Sequence, residues 1–389
     1  MVSASKCSMT ARYLALFIHS LSGGGAQRST LTLAHAFAAR GHKVDLVVPR
    51  AQGQLLHEVS PQVRLVALDP WWIRLPWVRS RKHRWPLFSV PALLRYLRRE
   101  RPEVLLLAGS HVTRTVAWAL PLTPVLTRLV IRMSNHLSQA ALKAHRRPRR
   151  FRLWLARHFY PRADAIIAIS NGVADDLAHV TGLPRERITT IYNPVITPEL
   201  QEKARAPLDH PWFAQGSPSV LLGVGRLVPQ KDFPTLLKAF ARVRAVRKAR
   251  LVILGEGIRR MELETLVREL GVVADVALPG FVANPFPYMA RASAFVLSSA
   301  WEGLGNVLIE AMACGCPVVS TDCPSGPAEI LDGGVYGPLV PVRDDEALAK
   351  AILSVLETPP DPERLRARAA LFSVDRAADR YLEVLLGVV

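Results

Sequence analysis

Short apolar runs alternate with amphipathic stretches along the whole chain. Six runs in the first half have the length and composition of buried strands: YLALFI, KVDLVV, VRLVAL, EVLLLA, RLVIRM and AIIAIS. Segments with helical periodicity, such as Gln27 to Arg40, lie between most of them. Because neighbouring parallel strands need a crossover connection, usually a helix, this alternation predicts parallel sheets in an α/β protein.

The pattern changes after Asn193, where a stretch rich in proline and polar residues predicts a linker, with a hinge near residues 195 to 217. A second series of strand-like runs follows: SVLLGVG, RLVILGEG, VALPGF, AFVLSS and PVVSTD. A chain of 389 residues is long enough for two domains. We therefore predict one domain over residues 1–195 and another over 196–373, with a final helix at 374–386 that packs back on the first domain.

The net charge of +18 indicates an anionic partner. The cations concentrate in Arg74–Arg101 and Leu142–Phe159, where they alternate with tryptophan, leucine and phenylalanine. Two solvated helix faces would give this pattern, but cations mixed with tryptophan suit the surface of an anionic membrane better. No helix-turn-helix, zinc-finger or ribonucleoprotein-type signature is present, so nucleic acid is not predicted as a partner.

The four cysteines, Cys7, Cys314, Cys316 and Cys323, have the spacing of neither a disulfide framework nor a zinc site, which favours a reducing compartment. The apolar run Tyr13–Leu21 is followed by glycines, so we interpret it as a first buried strand and not as a signal peptide. No run reaches the roughly 20 apolar residues of a membrane helix. We expect a cytoplasmic protein, peripheral at the inner face of the membrane.

Three glycine-containing turns follow predicted strands of the second half, and ligands bind at the carboxyl ends of such strands. In the first turn, GVGRLVPQKDF, Arg226 and Lys231 can clamp a diphosphate. The second turn is LPGFV. The third follows AFVLSSA and leads through WEGLG into a helix from about Asn306 to Cys314, whose first N–H groups can bind a phosphate.

Two glutamates, Glu302 and Glu310, lie eight residues apart in this third segment. Glu310 falls among apolar residues of the predicted helix, where a carboxylate is costly unless donors such as ribose hydroxyls meet it. The two could straddle one sugar nucleotide, with Glu310 on the ribose and Glu302 on the sugar. A salt bridge or favourable interaction with the helix dipole is the structural alternative. It explains Glu310 less well, because no Lys or Arg lies within four residues.

In this order the motifs resemble those of the retaining GT-B glycosyltransferases of family 4. The resemblance rests on EGLGNVLIEAMACGCPVVSTD, with its Glu-x7-Glu pattern, and on GVGRLVPQKDFPTLLKAF, HSLSGGGAQRSTLTLAHAFAARGHKVDLVV, AIIAISNGVADDL and YNPV. It implies two Rossmann-like domains facing across a cleft. It also implies transfer of a hexose or amino sugar from a nucleotide sugar, UDP-linked, to a glycan or lipid-linked acceptor. The segment DCPSGPAEIL resembles a subset that acts on polyprenyl-diphosphate-linked glycans.

The resemblance also implies roles for single residues: diphosphate binding by Arg226 and Lys231, ribose binding by Glu310 and donor-sugar binding by Glu302. The implied nucleotide-sugar site comprises Gly24, Gly25, Gly225, Arg226, Lys231, Phe281, Val282, Glu302, Gly303, Leu304, Gly305, Asn306, Val307 and Glu310. The implied catalytic residues are Glu302, Arg226, Lys231 and His111, and His136 is a second candidate histidine. No Asp-x-Asp occurs, so neither a metal nor a cofactor is expected.

Three alternatives stay open at this point. One is an epimerase or hydrolase of UDP-sugars with the same fold. Another is a dinucleotide oxidoreductase, suggested by the strand and GGG at residues 23–25, although no G-x-G-x-x-G is completed. The third is a non-catalytic protein that binds anionic membranes, which would explain the charge but not the placement of Glu310, Arg226 and Lys231.

Overall fold

A computed structural model describes residues 11–69, 89–109, 127–138, 154 and 156–387. The chain divides into two compact units. Unit 1 comprises residues 1–169, 174–191 and 377–389, and unit 2 comprises residues 170–173 and 192–376. The predicted domain limits, 1–195 and 196–373, stay a prediction beside this division.

Unit 1 contains a seven-stranded sheet in the order β3-β2-β1-β4-β5-β6-β7. Its strands, all paired in parallel, are β1 (Tyr13–Ile18), β2 (Lys43–Val48), β3 (Val63–Ala67), β4 (Val104–Ala108), β5 (Arg128–Met133), β6 (Ala165–Ala168) and β7 (Ile188–Thr190). Its described helices include α1 (Gly25–Ala39), α2 (Val90–Glu100) and most of α3 (Asn171–Thr181). The six strands predicted for this half are confirmed, and β7 is an addition.

Unit 2 contains a six-stranded parallel sheet in the order β10-β9-β8-β11-β12-β13. The strands are β8 (Ser219–Val224), β9 (Ala249–Leu254), β10 (Val276–Gly280), β11 (Ala294–Leu297), β12 (Val318–Thr321) and β13 (Leu339–Val340). The helices are α4 (Leu200–Arg205), α5 (Phe233–Val246), α6 (Arg260–Glu269), α7 (Phe286–Arg291), α8 (Asn306–Ala313), α9 (Pro327–Ile330), α10 (Asp345–Glu357), α11 (Pro362–Ala369) and the start of α12 (Val374–Leu386). Two all-parallel sheets confirm the predicted α/β class.

Most strands are apolar along most of their length, as expected when both faces of a parallel sheet are covered. In unit 2, buried side chains of β8, β9 and β11 pack with those of α5 and α10 in one core. The stretch predicted as a linker is more ordered than its composition indicates. It contains α4, whose Leu200 and Ala204 are buried, and the Asn284 side chain donates to the carbonyl of Lys203 at 2.9 Å.

A buried carboxylate joins the first three strands of unit 1 to α2. Asp45 on β2 is fully buried and accepts hydrogen bonds from Tyr13 (2.7 Å), Tyr96 (2.6 Å) and both Nε (2.9 Å) and Nη2 (2.6 Å) of Arg64. Arg64 also contacts Glu100 at 2.7 Å. Four hydrogen bonds from three side chains offset the cost of burying this charge, which holds α2 against the sheet.

The last helix contributes to the core of unit 1 from residue 377 onward. Tyr381 is fully buried, and its hydroxyl lies 2.8 Å from Nε of Arg132, a fully buried arginine on β5. At the surface, Arg40 and Asp379 form an ion pair at 3.0 Å. In the part of the chain that the structure describes, no helix is both long and apolar enough to cross a bilayer.

Candidate active site

The sheet of unit 2 reverses its strand order between β8 and β11. These strands are neighbours, but β9 and β10 extend the sheet on one side and β12 and β13 on the other. In open parallel sheets, ligands bind in the crevice outside the carboxyl ends of the strands at such a switch point. The loop after β8 carries Arg226 and Lys231, and the loop after β11 carries Glu302. The sheet topology thus brings together residues about seventy positions apart.

Lys231 and Glu302 form an ion pair across this switch point, with Nζ 2.7 Å from Oε1. The same carboxylate accepts a hydrogen bond from Ser299 at 2.6 Å, and Gln230 Nε2 lies 3.5 Å from its other oxygen. Glu302 is only 7% exposed. A buried carboxylate needs such donors. The salt bridge that was the structural alternative for Glu302 is therefore present. Its cation, Lys231, is itself one of the two residues predicted to bind the diphosphate of the donor.

The Arg226 loop is supported by the loop after β9. The amide of Leu227 donates to the carbonyl of Glu256 at 2.9 Å. A Cβ at Gly255 would lie 1.9 Å from the carbonyl oxygen of Gly225, and one at Gly257 would lie 2.3 Å from that of Leu227. Only glycines allow two backbones to approach so closely. In the sequence, the G-x-G of LGEGI indicates only the end of a strand, so its support of the Arg226 loop becomes evident only in the structure.

The Arg226 side chain itself is exposed, and among the described residues it makes no hydrogen bond or ion pair. Gly225, the predicted site residue before it, leaves room for the stem of Lys231. A Cβ there would lie 2.9 Å from Cε of that lysine. The loop therefore presents one exposed guanidinium and directs one ammonium inward to Glu302.

The loop after β11 leads directly into α8. Gly303, Leu304 and Gly305 are buried, and Gly305 has a φ of +99°, which favours glycine. Helix α8 begins at Asn306, as predicted, followed by Val307. Glu310 lies in its second turn and is half-buried, so its desolvation cost is lower than the sequence indicated.

The predicted base-contacting residues follow β10. Phe281 is 71% exposed and Val282 is half-buried. The preceding Gly280 accepts a hydrogen bond from the amide of Gly255 at 2.8 Å, which ties this turn to the loop that supports Arg226. The three turns predicted from sequence thus lie at the same edge of one sheet.

In unit 1, Gly24 and Gly25 stand at the start of α1, with Gly24 at the N-cap. They follow β1, which is a neighbour of β4 at the point where this sheet also reverses its order. A Cβ at Gly24 would lie 2.3 Å from Oε1 of Gln27. The other end of that amide contacts Nε2 of His19 at 3.1 Å. Burial lowers the pKa of His19, which favours a neutral ring at neutral pH.

Of the two candidate histidines, His111 lies outside the described residues. His136 follows β5, and its Nδ1 lies 3.6 Å from Asp176 Oδ1 on α3. Asp176 also accepts hydrogen bonds from the amides of Leu137 (2.6 Å) and Ser138 (3.2 Å). Burial raises the pKa of Asp176, but the bonds from His136 and Ser138 outweigh burial, so the pKa lies below its usual value. His136 thus belongs to a loop fixed by a carboxylate.

The described cysteines are buried thiols. Burial raises the pKa of Cys314 and of Cys323 to about 12, and it raises the pKa of Cys316 as well. Within the described ranges, no cluster of three or more His, Cys, Asp or Glu residues could hold a metal ion.

The fold of the chain is similar to that of several solved glycosyltransferases. The fold is similar to that of Anabaena Alr3699/HepE in complex with UDP, with a TM-score of 0.76 at 21% identity, covering 96% of this chain and 100% of that one. It is also similar to the lipopolysaccharide outer core galactosyltransferase WaaB, with a TM-score of 0.73 at 20% identity over 97% of this chain and 99% of that one. Two all-parallel α/β sheets with these structural neighbours identify the GT-B fold class.

Two family models match consecutive parts of the chain. Residues 23–198 match Glycosyltransferase Family 4, and residues 208–372 match glycosyl transferases group 1. The chain is therefore a glycosyltransferase with a Glycosyltransferase Family 4 domain and a glycosyl transferases group 1 domain. A full-length relative from Campylobacter jejuni is 28% identical over 96% of this chain and 99% of its own length. It is the N-acetylgalactosamine-N,N'-diacetylbacillosaminyl-diphospho-undecaprenol 4-alpha-N-acetylgalactosaminyltransferase. Because the chain is a glycosyltransferase, the dinucleotide oxidoreductase and the non-catalytic membrane-binding protein are excluded as alternatives.

Proposed function

We propose that this enzyme transfers a hexose or amino sugar from a UDP-sugar, with retention, to a glycan or polyprenyl-diphosphate-linked acceptor in the biosynthesis of cell-surface polysaccharide. The observation that carries the proposal is the Lys231–Glu302 pair at the switch point of unit 2, with Arg226 on the same loop. Two cations and one carboxylate at the ends of adjacent strands match the diphosphate and the sugar hydroxyls of such a donor.

Each group has a chemical task in this proposal. Arg226 and Lys231 bind the diphosphate, whose negative charge grows as the glycosidic bond breaks, and the first amides of α8 contribute to the same stabilisation. An ammonium has three N–H groups, so Lys231 can donate to Glu302 and to a phosphate oxygen together. Glu302 then accepts from a sugar hydroxyl, Glu310 from the ribose, and the backbone at Phe281 and Val282 contacts the base.

The acceptor proposal is supported by the distribution of charge. In unit 2, Lys and Arg are nearly balanced by Asp and Glu, so unit 1 carries essentially all of the net charge of +18. Helix α2 of unit 1 shows Arg95, Arg98 and Arg99 on an exposed face that also includes Pro91 and the half-buried Leu94. Such a face suits an anionic membrane surface, where a polyprenyl-linked acceptor resides. The name of the Campylobacter relative describes a diphospho-undecaprenol substrate.

The test is mass spectrometry of the products formed from a panel of UDP- and GDP-sugars, each with and without polyprenyl-diphosphate-linked acceptors. We expect one UDP-sugar to give a glycosylated acceptor with retained anomeric configuration. Free sugar or an epimer formed equally well without acceptor would support the hydrolase or epimerase alternative. Transfer from a GDP-sugar alone would overturn the UDP assignment.

A further inference from the structure

A short segment of α3 and the residue before it support the Glu302 loop from outside the sheet. Residues 170–173 belong to unit 2, although the chain on both sides of them belongs to unit 1. Ser170 is fully buried, and its hydroxyl donates to the carbonyl oxygen of Gly303 at 2.7 Å. The same hydroxyl accepts from the amide of Val173 at 3.2 Å. Ser170 therefore caps a helix and holds the backbone next to Glu302 with one oxygen.

The carboxylate of Glu329 fixes this segment to unit 2. It accepts hydrogen bonds from the amides of Asn171 (2.8 Å) and Gly172 (3.0 Å), which are donors that a helix start leaves without an intrahelical partner. A Cβ at Gly172 would lie 2.4 Å from Cβ of Ser325. Ser325 in turn donates to the carbonyl oxygen of Glu302 at 3.0 Å. The absence of a side chain at Gly172 thus allows the start of α3 to approach Ser325 closely.

Asn193 makes a second contact of the same kind. It is 5% exposed, and its Nδ2 lies 2.8 Å from Oδ1 of Asn306, the first residue of α8. We call Ser170, Gly172 and Asn193 the brace. Its hydrogen bonds reach Gly303, in the Gly303–Gly305 turn, and Asn306, directly after it. Neither the Ser170 hydroxyl nor the Asn193 amide carries a positive charge that would bind a diphosphate tightly.

We infer that the brace positions Glu302 for catalysis, an inference that rests on the proposed function of that loop. A carboxylate that must meet a sugar hydroxyl tolerates little displacement, since misplacement by about 1 Å can cost a hundredfold in rate. Arg226 and Lys231, on the loop after β8, lie outside these contacts. Loosening the brace should therefore lower kcat more than it weakens binding of UDP, which has no sugar.

The first experiment compares Ser170→Ala with Ser293→Ala, which also removes one hydroxyl that is bonded to the backbone. Ser293 lies at the end of the strands opposite the candidate site, where its hydroxyl accepts a hydrogen bond from the amide of Val220 at 3.1 Å. For Ser170→Ala we expect a fall in kcat of at least about tenfold with the Kd of UDP within about twofold of wild type. Ser293→Ala should keep its kcat. Equal kcat in Ser170→Ala and wild type, or parallel losses of kcat and UDP affinity, would overturn the inference.

The second experiment is a compensation test. Gly172→Ala should push on Ser325 and lower kcat, and the double variant Gly172→Ala/Ser325→Gly should recover part of the rate relative to Gly172→Ala, because the opposing Cβ is gone. Ser325→Gly alone is the control for the lost hydroxyl. If the double variant folded but recovered none of the lost kcat, the proposed contact would be contradicted.

Amide hydrogen exchange separates failure of the brace from failure of the proposed function. Peptides covering residues 298–306 should exchange faster in Ser170→Ala than in wild type or Ser293→Ala, whatever the substrate. If wild type transfers no sugar, the proposed function fails, and unchanged exchange in Ser170→Ala would overturn the brace as well. If wild type is active and the variants match it in rate and exchange, only the brace is wrong.

Discussion

Lys231 donates to Glu302 at 2.7 Å, and both side chains are largely buried. The two residues come from loops that follow different strands, so their pairing depends on the whole sheet of unit 2. In the proposed reaction this pair also aligns the two groups. Lys231, which binds the diphosphate, holds in place the carboxylate of Glu302, which binds the sugar. Stability and catalysis should therefore respond together when this pair is changed, which is not expected for the exposed Arg226.

Lys231→Ala should destabilise the protein by about 3–5 kcal/mol, because it leaves a buried carboxylate without its cation. Urea unfolding measures the change. The double variant Lys231→Met/Glu302→Gln removes both charges and should recover most of that loss. If the single and double variants were equally destabilised, the pair would have no role in stability beyond packing.

Arg226→Ala and Lys231→Ala should each lower kcat more than they raise KM, since the charge on the leaving diphosphate grows in the transition state. Because Arg226 is exposed, its replacement should leave the unfolding midpoint almost unchanged while activity falls. Steady-state kinetics with the donor identified in the product screen provides the measurement. A change confined to KM would mean that the cations bind only the ground state.

Glu310→Ala should weaken UDP binding by about 1–3 kcal/mol, the scale for leaving hydroxyl donors without an acceptor. Calorimetry with UDP tests it, and deoxy-ribose analogues of UDP should show a smaller difference between variant and wild type. Glu357→Ala, a change of the same kind at an exposed position at the end of α10, is the matched control. Unchanged affinity in a folded Glu310 variant would exclude the ribose role.

Most strands could be predicted because they form nearly continuous apolar runs, as strands buried in a parallel sheet do. Two strands could not be predicted, because Ile188–Thr190 and Leu339–Val340 are too short to show a pattern. Helix α4 was hidden by the prolines around it, although its buried Leu200 and Ala204 have helical spacing. Composition alone therefore overstated the linker.

The individual groups of the candidate site could be predicted, but their contacts could not. Polar residues after strands identify Arg226, Lys231 and Glu302, whereas the ion pair between the last two depends on which strands are neighbours. Ser170 and Gly255 gave no signal of their own, because a serine or a glycine after a strand is common. Their roles follow from backbone approaches that only the folded loops define.

Asp45→Asn should destabilise unit 1 at neutral pH by about 3 kcal/mol, because the change disrupts a buried charged network. Burial raises the pKa of Asp45, but hydrogen bonds from Arg64, Tyr96 and Tyr13 outweigh burial and leave it below its ordinary value. A carboxyl with a lowered folded pKa stabilises the protein above its unfolded pKa, and that stability is lost as the pH falls through the folded pKa.

The difference in the free energy of unfolding between wild type and Asp45→Asn should therefore be constant above about pH 5. It should become smaller below about pH 4. Urea midpoints measured across this range provide the test. Asp209→Asn, an exposed carboxyl in unit 2, is the control and should track wild type throughout. A gap that widened on acidification would show that the charged form of Asp45 does not stabilise the fold.

The charge of unit 1 leads to the last prediction, which concerns membranes. The enzyme should bind vesicles that contain anionic lipid, and binding should weaken with salt without vanishing, because screening acts on cations and not on apolar anchors. Each Lys or Arg near the surface contributes about 1 kcal/mol. Trp154, which is 53% exposed, is one such anchor among the described residues; Trp72, Trp77 and Trp85 lie outside them.

Co-sedimentation across a salt series compares two triple variants with the same change in charge. Replacing Arg95, Arg98 and Arg99 on the exposed face of α2 by glutamine should weaken binding at low salt by at least tenfold. The control replaces three exposed cations of unit 2, Arg205, Lys248 and Arg376, by glutamine and should bind like wild type. Equal losses in both variants would mean that total charge, and not this face, attracts the bilayer. If wild type ignored anionic vesicles at low salt, the polyprenyl-linked acceptor would lose its main physical support.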